Sequence, residues 1–271
     1  MKFDKVEMTS KSGKPFVLRV PQTQRTEPST FIVAAHKTGS TLLNRITTEL
    51  AQRGNVPHIN VELDMWRQSI AIGDWPDALF DLLEQPGFVF DSFRSLQKLP
   101  QLASFAKSPK IFLVRDPRDV AVSYYFSMLK SHAPPAADGA VKDNMALSRA
   151  AAEKYPLDDY VLQDECGLTL RNMQRFCAYR RDADHSTFFR YEDIIFAKRE
   201  WTAELAEMLG ADVSEKVINE IADKNDIRPD KEDPNKHVRQ VTPGNHKKHL
   251  SGRASAFLQA QYSRLFESFG Y

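Results

Sequence analysis

Apolar and polar positions along this chain follow two periods. Residues 3–8 and 15–20 alternate in character on either side of the turn-rich segment Ser10–Lys14, which predicts a β-hairpin. Phe31–Ala35 is a continuous apolar run, partly β-branched, and predicts a buried strand. The tight segment His36–Thr41 follows, and then Leu42, Leu43, Ile46 and Leu50 recur at helical spacing. The same alternation returns further on. Val56–Val61, Gly87–Phe90, Lys110–Val114 and Thr187–Arg190 are predicted strands. Val120–Lys130 is a predicted helix, another runs from after Arg190 to about Gly210, and Arg253–Phe269 is expected to close the chain as one helix. Ala133–Gly139 and residues 228–245, rich in proline and charge, are expected loops. Strands alternating with helices predict an α/β fold with a central, mostly parallel sheet flanked by helices. With no internal repeat and no linker, residues 1–271 are expected to form one domain, residues 1–30 being an N-terminal hairpin extension.

Composition narrows the function classes. Hydrophobic residues at 42% and charged residues at 27% supply a sizeable core and exclude disorder of the whole chain. Lys plus Arg is 37 and Asp plus Glu is 36, a balance that excludes gripping nucleic acid or a membrane with the whole surface. Cys166 and Cys177 are too few for a disulfide framework or a four-ligand zinc site, and read as ordinary reduced thiols. No apolar run of about 18 residues is present to span a membrane, and the charged start MKFDKVEMTSKSGK lacks the apolar region of a secretory signal. The expected location is the cytoplasm.

Local chemistry is more specific. At residues 36–41 a strand ends, the chain turns at Gly39 and a helix begins. The first N–H groups of that helix have no partner within it and favour a phosphate or sulfate. Lys37 adds a positive charge, and Thr38, Ser40 and Thr41 add hydroxyls. The nucleotide P-loop pattern G-x-x-x-x-G-K-[ST] is absent, because Lys37 precedes the single Gly39. A second segment, KIFLVRDPRDVAVSYYFSM over Lys110–Met128, sets Arg115 at the carboxyl end of a strand. Asp116 is a candidate N-cap and Pro117 the first residue of the next helix. The planar fork of Arg115 suits a phosphate, and the Ser123 hydroxyl follows two helical turns later. Residues 236–253 hold five Lys or Arg, three His and no acid, a local basic stretch in a neutral chain.

Together these segments resemble the sulfotransferases that use 3′-phosphoadenosine 5′-phosphosulfate (PAPS). In that family a P-K-S/T-G-T/S-T loop binds the 5′-phosphosulfate; His36-Lys37-Thr38-Gly39-Ser40-Thr41 stands there in this chain. A later arginine and serine hold the 3′-phosphate, matching Arg115 and Ser123. A Tyr-Glu-Asp segment places its tyrosine near the adenine, matching Tyr191-Glu192-Asp193. Arg239 matches the start of the late R-K-G-x-x-G-D-W-K-N-H-F-T loop, while Gln240, Val241, Asn245 and His246 depart from it. Leu42 stands where the family often has a tryptophan after the first loop. The resemblance implies a P-loop-like sulfotransferase fold, PAPS as sulfuryl donor, adenosine 3′,5′-bisphosphate (PAP) as product and no metal.

The general base is where the chain leaves the pattern. Many cytosolic members carry a Lys-Thr-His segment before the 3′-phosphate arginine, and this chain has Asp91-Ser92-Phe93-Arg94. Other branches use a glutamate after the first helix. Glu62, Asp64 and Asp91 are the favoured candidates, each expected at the carboxyl end of a strand, and His132 is a further one. Residues 62–90 and 130–165 are expected to wall the acceptor site, with Trp66, Trp75, Phe80, Tyr124 and Tyr125 as candidate apolar linings for a small-molecule or lipid-like acceptor. A module that binds PAPS or PAP without turnover and a nucleotide kinase are the alternative readings.

Overall fold

The computed structural model describes residues 1–96, 98–131, 133–182, 185–229 and 241–271. A hairpin of β1 (Phe3–Thr9) and β2 (Pro15–Pro21) opens the chain, paired in register from Phe3 opposite Pro21 to Thr9 opposite Pro15. Its inner face, Phe16, Leu18 and Val20, packs into the main core.

Five parallel strands form the central sheet: β3 (Thr30–Ala34), β4 (His58–Asn60), β5 (Val89–Phe93), β6 (Lys110–Val114) and β7 (Ser186–Arg190). Their order is β4-β5-β3-β6-β7. The chain leaves β3 towards one edge of the sheet and leaves β6 towards the other. The adjacent carboxyl ends of β3 and β6 are therefore a switch point, where open α/β sheets bind ligands.

Alternation within the strands divides the core. Ile32, Ala34, Ile111 and Leu113 meet α1 (Ser40–Arg53) together with the later helices around Trp201, Leu205 and Ile221. Phe31, Val33, Phe112 and Val114 face the opposite way. There they meet α2 (Val61–Arg67), α3 (Pro117–Phe126) and α5 (Gly167–Arg175). Leu43, Ile46 and Leu50 of α1 are buried at the spacing the sequence predicts. So is the start of α3, where the Asp116 carboxylate accepts the Arg118 N–H at 2.9 Å and Pro117 takes the first position. A long helix, α4 (Ala140–Lys154), lies across the crevice side and buries only Ala152 fully.

Several boundaries differ from the sequence reading; the helix expected from after Arg190 to about Gly210, for one, is two helices, Tyr191–Ile194 and Lys198–Met208. The strand expected over Val56–Val61 is only His58–Asn60, because Val61 already begins α2. The strand expected over Gly87–Phe90 runs on to Phe93. The closing helix is two helices, Gly252–Gln261 and Ser263–Phe269, broken at Tyr262, whose buried hydroxyl donates to Asp164 at 2.5 Å. Among the described residues, no helix is long and apolar enough to cross a membrane.

Candidate active site

The β3–α1 connection is a bend made of left-handed residues. Lys37 has φ 67° and Gly39 has φ 102°. Gly39 caps α1 without a side-chain cap, and the first helical bond runs from the Leu43 N–H to the Gly39 carbonyl. The N–H groups of the first turn thus stay available for a ligand. A methyl group on Gly39 would stand 2.8 Å from the Tyr191 ring and 3.3 Å from Leu113. Gly39→Ala is therefore expected to cost roughly 1–3 kcal/mol, from the positive φ and the clash together. Chemical denaturation of the two proteins checks this; equal midpoints would mean that Tyr191 does not pack on this loop.

The bend opens into a crevice of about 600 Å³, within the range of small-molecule sites. Lys37, Gly39, Ser40, Thr41 and Leu42 line one wall, and Arg115, Ser123 and Ser127 another. Lys37 Nζ donates to Ser127 Oγ at 3.2 Å, where α3 gives way to a π-turn over Ser127–Ser131.

Arg115 is 6% exposed. Its guanidinium lies over the Tyr191 ring, 4.3 Å from the centroid. One Nη reaches the Lys37 carbonyl at 3.3 Å, and the other stands 3.5 Å from Asp119 Oδ2. Its Nε has no hydrogen-bond partner among the described residues. Burial pushes the Asp119 carboxyl up, but His246, Arg115 and the N–H groups of His246 and Gly244 outweigh that and bring it to about 2. Glu192 accepts the Asp116 N–H at 2.9 Å and fixes the turn that carries Arg115. Tyr191 Oη donates to the Val241 carbonyl at 3.1 Å.

Glu62 enters the crevice from the first turn of α2. Burial pushes its carboxyl up to about 7, against the lowering effect of the Arg94 N–H and charge. That N–H donates to Glu62 Oε2 at 2.8 Å. Arg94 and Ser92 also line the crevice, and Ser92 takes a left-handed φ of 74°. Trp66, Ile70, Met128 and Met145 give this end an apolar wall.

A sequence model of the sulfotransferase domain matches residues 27–268. The chain belongs to the sulfotransferase domain family. Mouse sulfotransferase SULT7A1 complexed with PAP is similar in fold, with 13% identity over 89% of this chain and 86% of that one and a TM-score of 0.60. Retinol dehydratase in complex with androsterone and inactive cofactor PAP is similar at 14% identity over 98% and 90%, with a TM-score of 0.50. A search of curated proteins gives no match.

This sulfotransferase-family chain brings together Lys37, Gly39, Ser40, Thr41, Leu42, Glu62, Arg115 and Ser123, with Tyr191, around one crevice. Three candidates from the sequence stand elsewhere. Thr38 is buried, and its hydroxyl donates to the Ala35 carbonyl at 2.8 Å, so it closes the loop rather than facing the crevice. Asp64 lies outside the crevice lining and pairs with Arg67 at 3.1 Å. Asp91 lies inside β5 rather than at a strand end. Its carboxylate accepts from Thr47 Oγ1 at 2.5 Å and Asn44 Nδ2 at 3.1 Å, and meets His58 Nε2 at 3.1 Å. Burial raises its pKa, but His58, the Thr47 hydroxyl and the Ser92 N–H hold it below the usual carboxylate range and leave it poorly suited to take a proton. Arg239 and His132 lie outside the described residues.

Of the proposed apolar linings, Trp66 and Tyr124 face the crevice, whereas Trp75, Phe80 and Tyr125 pack in or against the core. Arg94, Ser127 and His246 escape the sequence reading. Ser127 carried a signal, since it falls one helical turn after Ser123 on the same face.

Proposed function

We propose that this chain transfers a sulfuryl group from PAPS to the hydroxyl of an apolar small-molecule or lipid-like acceptor and releases PAP, in the cytoplasm. The observation that carries the reading is Arg115: a buried guanidinium whose Nε has no partner among the described residues, lining the crevice shared by Lys37 and the start of α1. A buried cation with open donors fits a multiply charged anion. The PAP carried by the mouse sulfotransferase and by the retinol dehydratase structure supports that choice.

PAPS supplies an activated sulfuryl group on a good leaving group. The protein's part is positioning and charge stabilisation. Lys37 neutralises charge at the departing 5′-phosphate, and the N–H groups and hydroxyls of Ser40 and Thr41 hold it. Arg115 and Ser123, with Arg239 as the third contact implied by the sequence motif, hold the 3′-phosphate. Tyr191 and Leu42 border the nucleoside. Glu62 takes the acceptor's proton, and the wall around Trp66, Met128 and Met145 seats the acceptor's apolar body.

Thermal unfolding with PAP and with ADP at matched concentration tests the donor site. Ligand at a hundredfold excess over Kd adds about 2.7 kcal/mol to the native state, a shift of several degrees for a chain of this size. PAP is expected to raise the midpoint and ADP to leave it nearly unchanged. A shift with ADP alone would overturn the reading in favour of phosphoryl transfer. Formation of PAP from PAPS that depends on an added hydrophobic phenol distinguishes an enzyme from a module that only binds.

A further inference from the structure

Asp119 is placed to disable Arg115. The two residues are four apart, at the start of α3, and the carboxylate is fully buried and ionised. An arginine and a buried carboxylate at this spacing ordinarily close into a hydrogen-bonded pair. Here they stand 3.5 Å apart at their nearest atoms, and the Arg115 Nε has no partner among the described residues.

The reason lies on the far side of Asp119. Oδ1 accepts both the backbone N–H and the ring Nδ1–H of His246, each at 2.8 Å. Oδ2 accepts the Gly244 N–H at 2.7 Å. The ring nitrogen facing an ionised carboxylate must be the protonated one, so Nδ1 carries hydrogen. Asp116 Oδ2, 3.9 Å from the same nitrogen, favours that tautomer further and is itself held by Arg118 at 2.6 Å. Three donors from one short segment thus draw Asp119 away from Arg115. The segment is tied down a second time where the Val241 carbonyl accepts from Tyr191, the residue stacked on Arg115.

We propose that His246 is a positioning residue for the donor site: by occupying Asp119 it keeps the Arg115 guanidinium open to the 3′-phosphate of the nucleotide. The proposal rests on the donor reading given above. Without the imidazole donor, Asp119 turns to Arg115 and competes with the phosphate for the same N–H groups. The effect is confined to ligands that carry a 3′-phosphate.

Calorimetric titration of PAP and of adenosine 5′-monophosphate, which lacks the 3′-phosphate, tests this. In His246→Leu, PAP affinity is expected to fall at least tenfold, with the monophosphate changed less than twofold. His246→Asn, whose amide nitrogen takes the place of Nδ1, is expected to restore most of the PAP affinity. Adding Asp119→Asn to His246→Leu is expected to recover it too, because the competing charge is gone. If His246→Leu does not fold, His246→Gln, with its donor displaced by one bond, takes its place against His246→Asn. A folded His246→Leu that binds PAP like the parent, or loses both ligands equally, overturns the proposal while leaving the donor site intact. A parent that does not prefer PAP to the monophosphate overturns the donor site itself, and the role of His246 with it.

Discussion

Replacing Lys37 with alanine is expected to lower the turnover of PAPS by about 10²–10³, which corresponds to roughly 2.7–4 kcal/mol of barrier, the cost of removing one preorganised donor from a developing oxyanion. Lys37 sits in a left-handed conformation that alanine occupies at about the same cost, so the backbone of the loop gains no new strain. Its ammonium donates to the Ser127 hydroxyl, and losing a bond to a charged group costs about 1.5–3 kcal/mol of stability. The fold should therefore survive, and the loss should fall on kcat more than on the affinity for PAP, because charge on the leaving oxygen grows only as the bond to sulfur breaks. Ser127→Ala is a useful companion. It removes one hydrogen-bond partner of Lys37 but not its charge, and a loss of less than tenfold is expected. Steady-state release of PAP, measured with a hydrophobic phenol as acceptor, checks both. A Lys37→Ala protein with parental kcat would remove Lys37 from the chemistry.

Much of this architecture was legible in the sequence because it rests on local pattern. The run Phe31–Ala35, the bend at Gly39 and the helical spacing of Leu43, Ile46 and Leu50 fix one strand, loop and helix without reference to the rest of the chain. Arg115 at a strand end, with Asp116 and Pro117 starting the next helix, is local in the same sense. Parallel pairing of β3 with β6 then brings the two loops to one edge. What escaped depends on partners far away in sequence. Asp91 looks like a strand end by composition, but His58, Thr47 and Asn44 supply hydrogen-bond partners for its carboxylate within the sheet, so β5 continues past it. Thr38 looks like a ligand contact until its hydroxyl is found on the Ala35 carbonyl. His246 reads as a mismatch to the late family loop, and its meaning depends on Asp119, 127 residues earlier. The acceptor wall is the same kind of case. Val141, Asn144, Met145 and Ser148 fall on one face of α4, and only tertiary placement turns that face into the crevice.

Glu62→Gln is expected to lose activity while gaining stability, a combination that separates a working base from a structural carboxylate. A general base contributes about 10²–10⁴-fold, and the amide cannot take the acceptor's proton. In the parent, burial has moved the carboxyl from 4.5 to about 7. Only the ionised form accepts a proton, so kcat/KM should climb about tenfold per pH unit below 7 and level off above it. That limb should be missing from the residual activity of Glu62→Gln. Stability moves the other way. Between pH 4.5 and about 7 the folded protein holds a proton at Glu62 that the unfolded chain has released, so this site's contribution falls as pH rises through that window. Above pH 7 the ionised group sits in a desolvated position at a cost on the order of 3 kcal/mol. Glutamine keeps the shape and an oxygen for the Arg94 N–H without the charge. The variant should therefore unfold at a higher temperature than the parent at pH 8, and at nearly the same temperature at pH 4.5. Thermal midpoints at the two pH values, beside the rate profile, decide the matter. A variant that is both fully active and no more stable at pH 8 would show that the proton leaves by another route.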